Sequence, residues 1–272
     1  MNYRQFLSSC DALYQMEDCA KTSTKQCQAC FNSEFYSNNA QNAYGCYAGC
    51  LYYTMHYGLS YISEIYYLIE SVSTYDINFF NGTNITSLGG GFGTDYLAIK
   101  KYAIDNRMPF NIRYSVYDIS PKWENIISLY NTENSVCFST CDVSQQFIDL
   151  SLQQIVFINK LVSTLKASHC LMSFLTNLTR MLQTLPPGSI LIFNDVNHCE
   201  KGRDDFLQHM ADRHPEMQLL GKYFFPIADA YTGDYTPINN TNIVFDISYL
   251  NLSCEIMNTV RKTFFAIYRK AV

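Results

Sequence analysis

The chain has 272 residues, of which 48% are apolar and 16% charged, and its formal net charge is −5. That apolar content at this length buries a substantial core and excludes intrinsic disorder, and the acidic balance argues against a broad basic surface for duplex DNA or RNA. Met1-Asn2-Tyr3-Arg4-Gln5-Phe6 carries no apolar signal region, and no run of about eighteen residues is aliphatic enough to cross a bilayer, so a soluble, cytoplasmic protein is expected.

Eleven cysteines are an odd number, so they cannot all pair within one chain, and without a secretion signal they are expected to be reduced. Cys27-Gln28-Ala29-Cys30, followed by Cys46 and Cys50, has thiolate spacings that suit zinc. Against that, Cys46 and Cys50 stand one helical turn apart in an apolar pattern, where a free cysteine packs as a small hydrophobe. The packing reading is favoured and no metal is expected. Sequons at Asn81, Asn84, Asn177, Asn239 and Asn251 matter only in a secretory compartment.

In chain order, Tyr44, Tyr47, Leu51, Met55, Leu59, Ile62, Tyr66 and Ile69 recur every three or four positions, which predicts helix from Ala43 to about Ile69. One or two such helices would make an N-terminal extension over residues 1–76, ahead of an α/β domain over 77–272. A short strand, Ile85 to Leu88, then runs into Gly89, Gly90, Gly91 and Gly93. A helix follows, with Thr94 as its cap, Asp95 at its positive end and Lys100 and Lys101 toward its negative end. Strands are expected at Phe110–Asp118, Val136–Cys141, Ile155–Ile158 and Ser189–Phe193. The segment from Thr164 to Thr184 reads as one helix stopped by Pro186-Pro187-Gly188. This alternation implies parallel β-α-β units with helices on both faces of the sheet. Ile243–Ile247 and Phe264–Tyr268 read as two last strands that form an antiparallel edge.

The glycine loop between the first strand and its helix carries the most chemistry. Glycine accepts positive φ and leaves the backbone bare, so the chain turns sharply and a ligand can rest against main chain. A dinucleotide fingerprint, G-x-G-x-x-G/A, fails because Thr94 holds its last place, and a P-loop fails because Thr94-Asp95 stands where G-K-[ST] belongs. In an open α/β sheet the ligand lies across the carboxyl ends of the strands. Those ends supply Asp118 and Ile119 after the second strand, Cys141-Asp142-Val143 after the third, Asn159-Lys160 after the fourth and Asn194-Asp195-Val196-Asn197-His198 after the fifth. A carboxylate at the end of the second strand suits a ribose diol, which makes Asp118 the leading polar candidate.

The remaining G-x-G-x-G, Gly89-Gly90-Gly91-Phe92-Gly93, resembles the first motif of class I S-adenosylmethionine (SAM) methyltransferases, and the resemblance extends over roughly residues 84 to 272. It implies a Rossmann-like sheet, mostly parallel with an antiparallel C-terminal strand. It also implies SAM as cofactor, held by Gly89, Gly90, Gly91 and Gly93, by Asp118 and Ile119, by Asp142 and Val143 at the adenine, and by Asn159. Asp142 has a second reading as a cap of the turn before Gln145-Gln146. Ser87 departs from the family, which commonly has an acid two positions before the first glycine; Asp95 is the residue that would compensate. The [DN]-P-P-[YF] motif of amino-methylating relatives is replaced by Asn159-Lys160-Leu161-Val162, and no catalytic nucleophile stands out. Asp195 and His198 are either proton acceptors or parts of a polar loop. The tyrosine-rich segment from Tyr36 to Tyr44 is either a lid or packing. A small-molecule or protein acceptor is expected, with RNA as the alternative. A non-catalytic SAM-binding protein is the rival from another class, and an NAD-linked oxidoreductase is disfavoured.

Overall fold

A computed structural model describes residues 2–18, 26–30, 44–132, 135–227 and 230–272. Five parallel strands form the body of the sheet: β1 (Asn81–Leu88), β2 (Asn111–Asp118), β3 (Val136–Thr140), β4 (Ile155–Asn159) and β5 (Ile190–Val196). Beyond β5 lie β8 (Thr263–Lys270), antiparallel to both neighbours, then β6 (Met217–Phe224) and the two-residue β7 (Thr236–Pro237). The full order is β3-β2-β1-β4-β5-β8-β6-β7. The chain crosses from the β3 edge to β4, so β1 and β4 are neighbours and their carboxyl ends open a crevice.

Side-chain alternation decides which face each residue covers. In β4, every residue of Ile-Val-Phe-Ile-Asn is buried, as befits a strand covered on both sides. Ile155 and Phe157 join a cluster with the helices α1 (Tyr3–Met16), α2 (Tyr47–Ser71), α3 (Thr94–Asp105) and α4 (Lys122–Ser128). Val156 and Ile158 join the opposite cluster with α5 (Val162–Ala167), α6 (Leu171–Thr184) and α7 (Arg203–Arg213). In the second cluster Phe193 stacks on Phe206 at 3.8 Å and meets Phe264 edge-on at 5.3 Å.

The expected elements are present with four differences. Helix α3 begins at Thr94, and its cap position is Gly93 at φ 79°, so Thr94 does not cap through its side chain. The helix expected from Thr164 to Thr184 is two, because His169 adopts φ 57° between them. β6 was not legible: Gly221 and Lys222 interrupt its apolar alternation, at the point where its register to β8 shifts. Ile243–Ile247 is not a strand. The isolated bridge Asn242–Thr259 stands just before it, and its apolar side chains pack against the α1–α2 cluster instead.

That last difference has a cause in α2, which is uncharged apart from Glu64 and Glu70 and buries 18 of its 25 residues. A helix so apolar needs cover on most sides. The connection over residues 238–262 supplies it and is tied down by polar side chains of α2. Ser60 Oγ donates to the Thr259 carbonyl (2.8 Å), Tyr67 Oη donates to that of Asn242 (2.8 Å), and Ser63 Oγ accepts from Val244 N (3.0 Å). No helix among the described residues is long and apolar enough to cross a membrane.

At the other end of the sheet, Lys270 Nζ on β8 donates to the carbonyls of Leu182 (2.8 Å), Gln183 (3.1 Å) and Leu185 (2.6 Å), where α6 runs out of backbone donors. Lys270→Met keeps the aliphatic stem and removes this charge-assisted cap. Urea unfolding of the variant is expected to show a loss of about 1–3 kcal/mol.

Candidate functional site

The crevice is shaped first by the glycine loop. Gly89 and Gly90 both direct their N–H groups at the Tyr117 carbonyl (2.7 and 3.3 Å), so the loop folds back over the end of β2. Gly89 and Gly91 have φ of 66° and 54°, a region that costs an L-residue energy. A Cβ on Gly89 would also lie 2.5 Å from Leu161 Cδ1, so this position admits no side chain without displacing the opposite wall.

Asp118 ends β2 beneath this loop. Its Oδ2 accepts from Gly91 N and its Oδ1 from Ser120 N, both at 3.0 Å. Burial raises its pKa to about 6, while the N–H groups of Ser120 and Gly91 and the Trp123 side chain pull the other way. A carboxylate has about four lone-pair sites, so two remain for donors from a ligand.

Gly89, Gly90, Gly91, Asp118, Ile119, Asp142, Val143 and Asn159 all line one cleft, whose empty space is about 750 Å³ counted out to its mouth, whereas Gly93 does not line it and instead holds the cap position of α3 against Tyr114 and Tyr130. Asp142 has little capacity left. Its Oδ1 accepts from both N and Oγ of Ser144 (3.0 and 2.6 Å), and its Oδ2 accepts from Gln145 Nε2 (2.7 Å). It therefore caps the turn at 142–146 while bordering the cleft. Asn159 is the opposite case: it is 7% exposed, and neither its Oδ1 nor its Nδ2 has a partner among the described residues.

Asp95 does not line the cleft. Its side chain is fully buried behind the loop, where Oδ1 accepts from Tyr114 Oη at 2.5 Å and Oδ2 has no partner among the described residues. Ser87 is also fully buried, with an Oγ that has no partner there, and neither residue lines the cleft. Burial raises the Asp95 pKa to about 6, against the hydrogen bonds from Tyr114 and from nearby backbone. Asp195 is likewise turned inward: Oδ2 accepts from Ser163 N (2.9 Å) and caps α5, and Oδ1 accepts from Val196 N (2.7 Å). His198 Nδ1 accepts from Glu200 N in an exposed turn. Asp195 is thus a buried residue near the end of β5, His198 belongs to the polar loop after it, and neither lines the cleft.

The other wall comes from α2 and the turn before it. Tyr44, Tyr53 and Tyr61 line the cleft with Trp123 of α4. The rings of Tyr44, Tyr53 and Trp123 lie 5.5–5.8 Å from one another, and the Tyr44 carbonyl accepts from Ser120 Oγ at 2.6 Å. Residues 36–43 of the expected lid lie outside the described residues. Cys50 is buried behind this wall with Sγ 3.4 Å from the Tyr44 carbonyl, and burial, then the Asp118 charge, holds its thiol well above the usual range. Among the described residues no three His, Cys, Asp or Glu converge on a metal position.

Sequence reasoning missed Lys160 as a structured part of the site. Its Nζ lies 2.8 Å from Glu64 Oε2, contacts Thr263 Oγ1 and sits 4.8 Å from the Tyr61 ring centre. A signal was present in Glu64, a carboxylate in the middle of an otherwise apolar helix, which demands a buried cation.

No family model and no curated protein matches the sequence. Among solved structures, the chain is similar to the N-methyltransferase NodS from Bradyrhizobium japonicum WM9, with a TM-score of 0.48 and 11% identity over 78% of this chain and 97% of that one. A putative methyltransferase in complex with the Haloferax volcanii methyltransferase activator Trm112 gives 0.49 and 10% over 89% and 96%. A putative methyltransferase from Bacillus halodurans C-125 gives 0.47 and 11% over 77% and 100%. The sheet itself, five parallel strands followed by a reversed strand inserted before β6, is a Rossmann-like arrangement, mostly parallel with an antiparallel C-terminal strand.

The two carboxyls under and beside the loop set a pH dependence. Each has a folded pKa of about 6, above the ordinary 3.8 of an unfolded Asp. The stability they contribute is fully present below about pH 4 and is lost as pH rises through 6. Asp95→Asn retains the acceptor for Tyr114 without the charge. Urea unfolding is expected to show it more stable than the parent at pH 7.5, by at most about 3 kcal/mol, and nearly equal at pH 4.

Proposed function

We propose that this chain is a SAM-dependent methyltransferase whose acceptor is a small molecule or a protein side chain. The observation that carries the reading is Asp118, a buried carboxylate at the end of β2 bonded to Gly91 N with lone pairs to spare. It stands where a ribose diol meets the end of the second strand. Bare backbone from Gly89 to Gly91 takes the methionine part, which has no phosphates for an acid to repel. Ile119 and Val143 flank the adenine. Val143 N donates to no described residue, so it suits a ring nitrogen, whereas Asp142 has at most one lone-pair site for the adenine amino group. The unpartnered carboxamide of Asn159 supports a polar ligand in the cleft, since a buried amide without partners costs stability until a ligand satisfies it.

When bound, SAM supplies an electrophilic methyl group on a sulfonium. The chain's own contribution is to hold and enclose. Asp118 and the loop fix the cofactor, and Tyr44, Tyr53 and Trp123 keep water from the acceptor side. Positioning of this kind accounts for much of the rate of a one-step displacement, which fits a cleft without a nucleophile of its own.

Calorimetry with SAM, its demethylated product S-adenosylhomocysteine (SAH), NAD and ATP is expected to show binding of the first two only, and transfer of label from methyl-labelled SAM to a cell extract separates an enzyme from a sensor. Asp118→Ala is expected to lower SAM affinity at least about tenfold, through the lost ribose bonds and the loosened Gly91. Unchanged affinity in a folded variant removes the assignment.

A further inference from the structure

The cleft has two ends of unlike chemistry. In the sheet order β3-β2-β1-β4, Asp142 and Asp118 follow β3 and β2 at one end, and Lys160, the one cation that lines the cleft among the described residues, follows β4 beyond the glycine loop, beside Asn159 and Tyr61 and with Tyr53 between the two ends. We propose that this second end is the acceptor subsite, and that it takes a small aromatic molecule bearing an anionic oxygen, a carboxylate or a phenolate. The inference rests on the SAM reading of the first end.

A plainer account of Lys160 is that it only neutralises Glu64. Three observations ask for more. Lys160 holds a left-handed φ of 52°, which a non-glycine residue adopts at a cost and which turns its side chain in toward α2 right after β4. Its side chain is 12% exposed while Glu64 is fully buried, so the ammonium stands between the carboxylate and the cleft. Adjacent to it, Asn159 presents two donors and an acceptor with no partner, at 7% exposure.

The ammonium is also pre-set. Glu64 Oε2 and Thr263 Oγ1 take two of its three donors, and Glu64 is itself fixed because its Oε1 accepts from Arg261 N at 2.8 Å. An oxygen arriving from the cleft meets the ammonium first and the carboxylate behind it, so the nearer attraction outweighs the farther repulsion. The Asn159 amide can donate to the same oxygen, which desolvates the anion at low cost. The tyrosine rings supply the flat walls that make an aromatic body fit.

The test titrates the SAH-saturated protein with 4-hydroxybenzoate, an aromatic anion, and with tyramine, a similar ring bearing a cation, by calorimetry or ligand-observed NMR. The anion is expected to bind at least tenfold more tightly. Lys160→Met alone leaves Glu64 buried without a partner and endangers folding. The double variant Lys160→Met with Glu64→Leu removes both charges, and it is expected to lose at least tenfold in 4-hydroxybenzoate affinity while still binding SAH. Absence of anion binding, tyramine binding as tight or tighter, or an unaltered 4-hydroxybenzoate affinity in the double variant overturns the proposal. A folded double variant that has lost SAH as well overturns the division of the cleft into two ends. Failure of the parent protein to bind SAH removes the cofactor reading and this inference together, whereas SAH binding without selectivity for the anion removes only the inference.

Discussion

The site depends on one partly buried hydrogen bond, from the N–H of Gly91 to Asp118 Oδ2. It joins the loop after β1 to the end of β2, two points 27 residues apart in sequence, and it fixes the bare backbone at a set distance from a carboxylate. Burial alone would neutralise that acid, and the donors of Ser120 and Gly91 offset part of the cost. The loop conformation, the charge state near neutrality and the direction of the remaining lone pairs all follow from this arrangement. So does the need for glycine: a chain held this close to Tyr117 and Leu161 has neither the dihedrals nor the room for a side chain.

Much of this was legible in the sequence because it is local. A strand, a glycine loop and a helix in immediate succession fix their own geometry, and Asp118 followed from its position at a strand end. The parallel β-α-β body followed from the alternation of strand and helix, whereas the reversed last strand followed from the family resemblance, and its partners are β5 and β6 rather than Ile243–Ile247. Cases where one residue type serves two purposes resisted. Asp95 looks from sequence like a ligand-side acid, yet helix phase turns it under the loop to Tyr114. Asp142 satisfies cap and cleft positions at once, and only its three hydrogen bonds show how little of it remains for a ligand.

Long-range partners were the other blind spot. Ile243–Ile247 has the composition of a strand, but a strand needs an open sheet edge, and an exposed apolar helix competed for the same side chains and won. Lys160 and Glu64 are 96 positions apart and meet through tertiary packing alone. β6 lacked period-two alternation because Gly221 sits against Tyr75 and Tyr223, where a Cβ would be 2.7–2.9 Å from their side chains. In each case the information lay in a neighbour that the local pattern does not name.

The placement of β8 bears on how the molecule assembles. Synthesised after both of its neighbours, it fills a slot between β5 and β6, pairing with each along most of its length. Until it arrives, two hydrophobic strands present open edges to the surroundings, and Phe193 lacks one of its two ring partners. A nascent chain in that condition is open to wrong pairing and to capture by chaperones. Closure of the sheet is thus a late, non-local event, and the time spent waiting for it is the interval in which this protein is most exposed to aggregation.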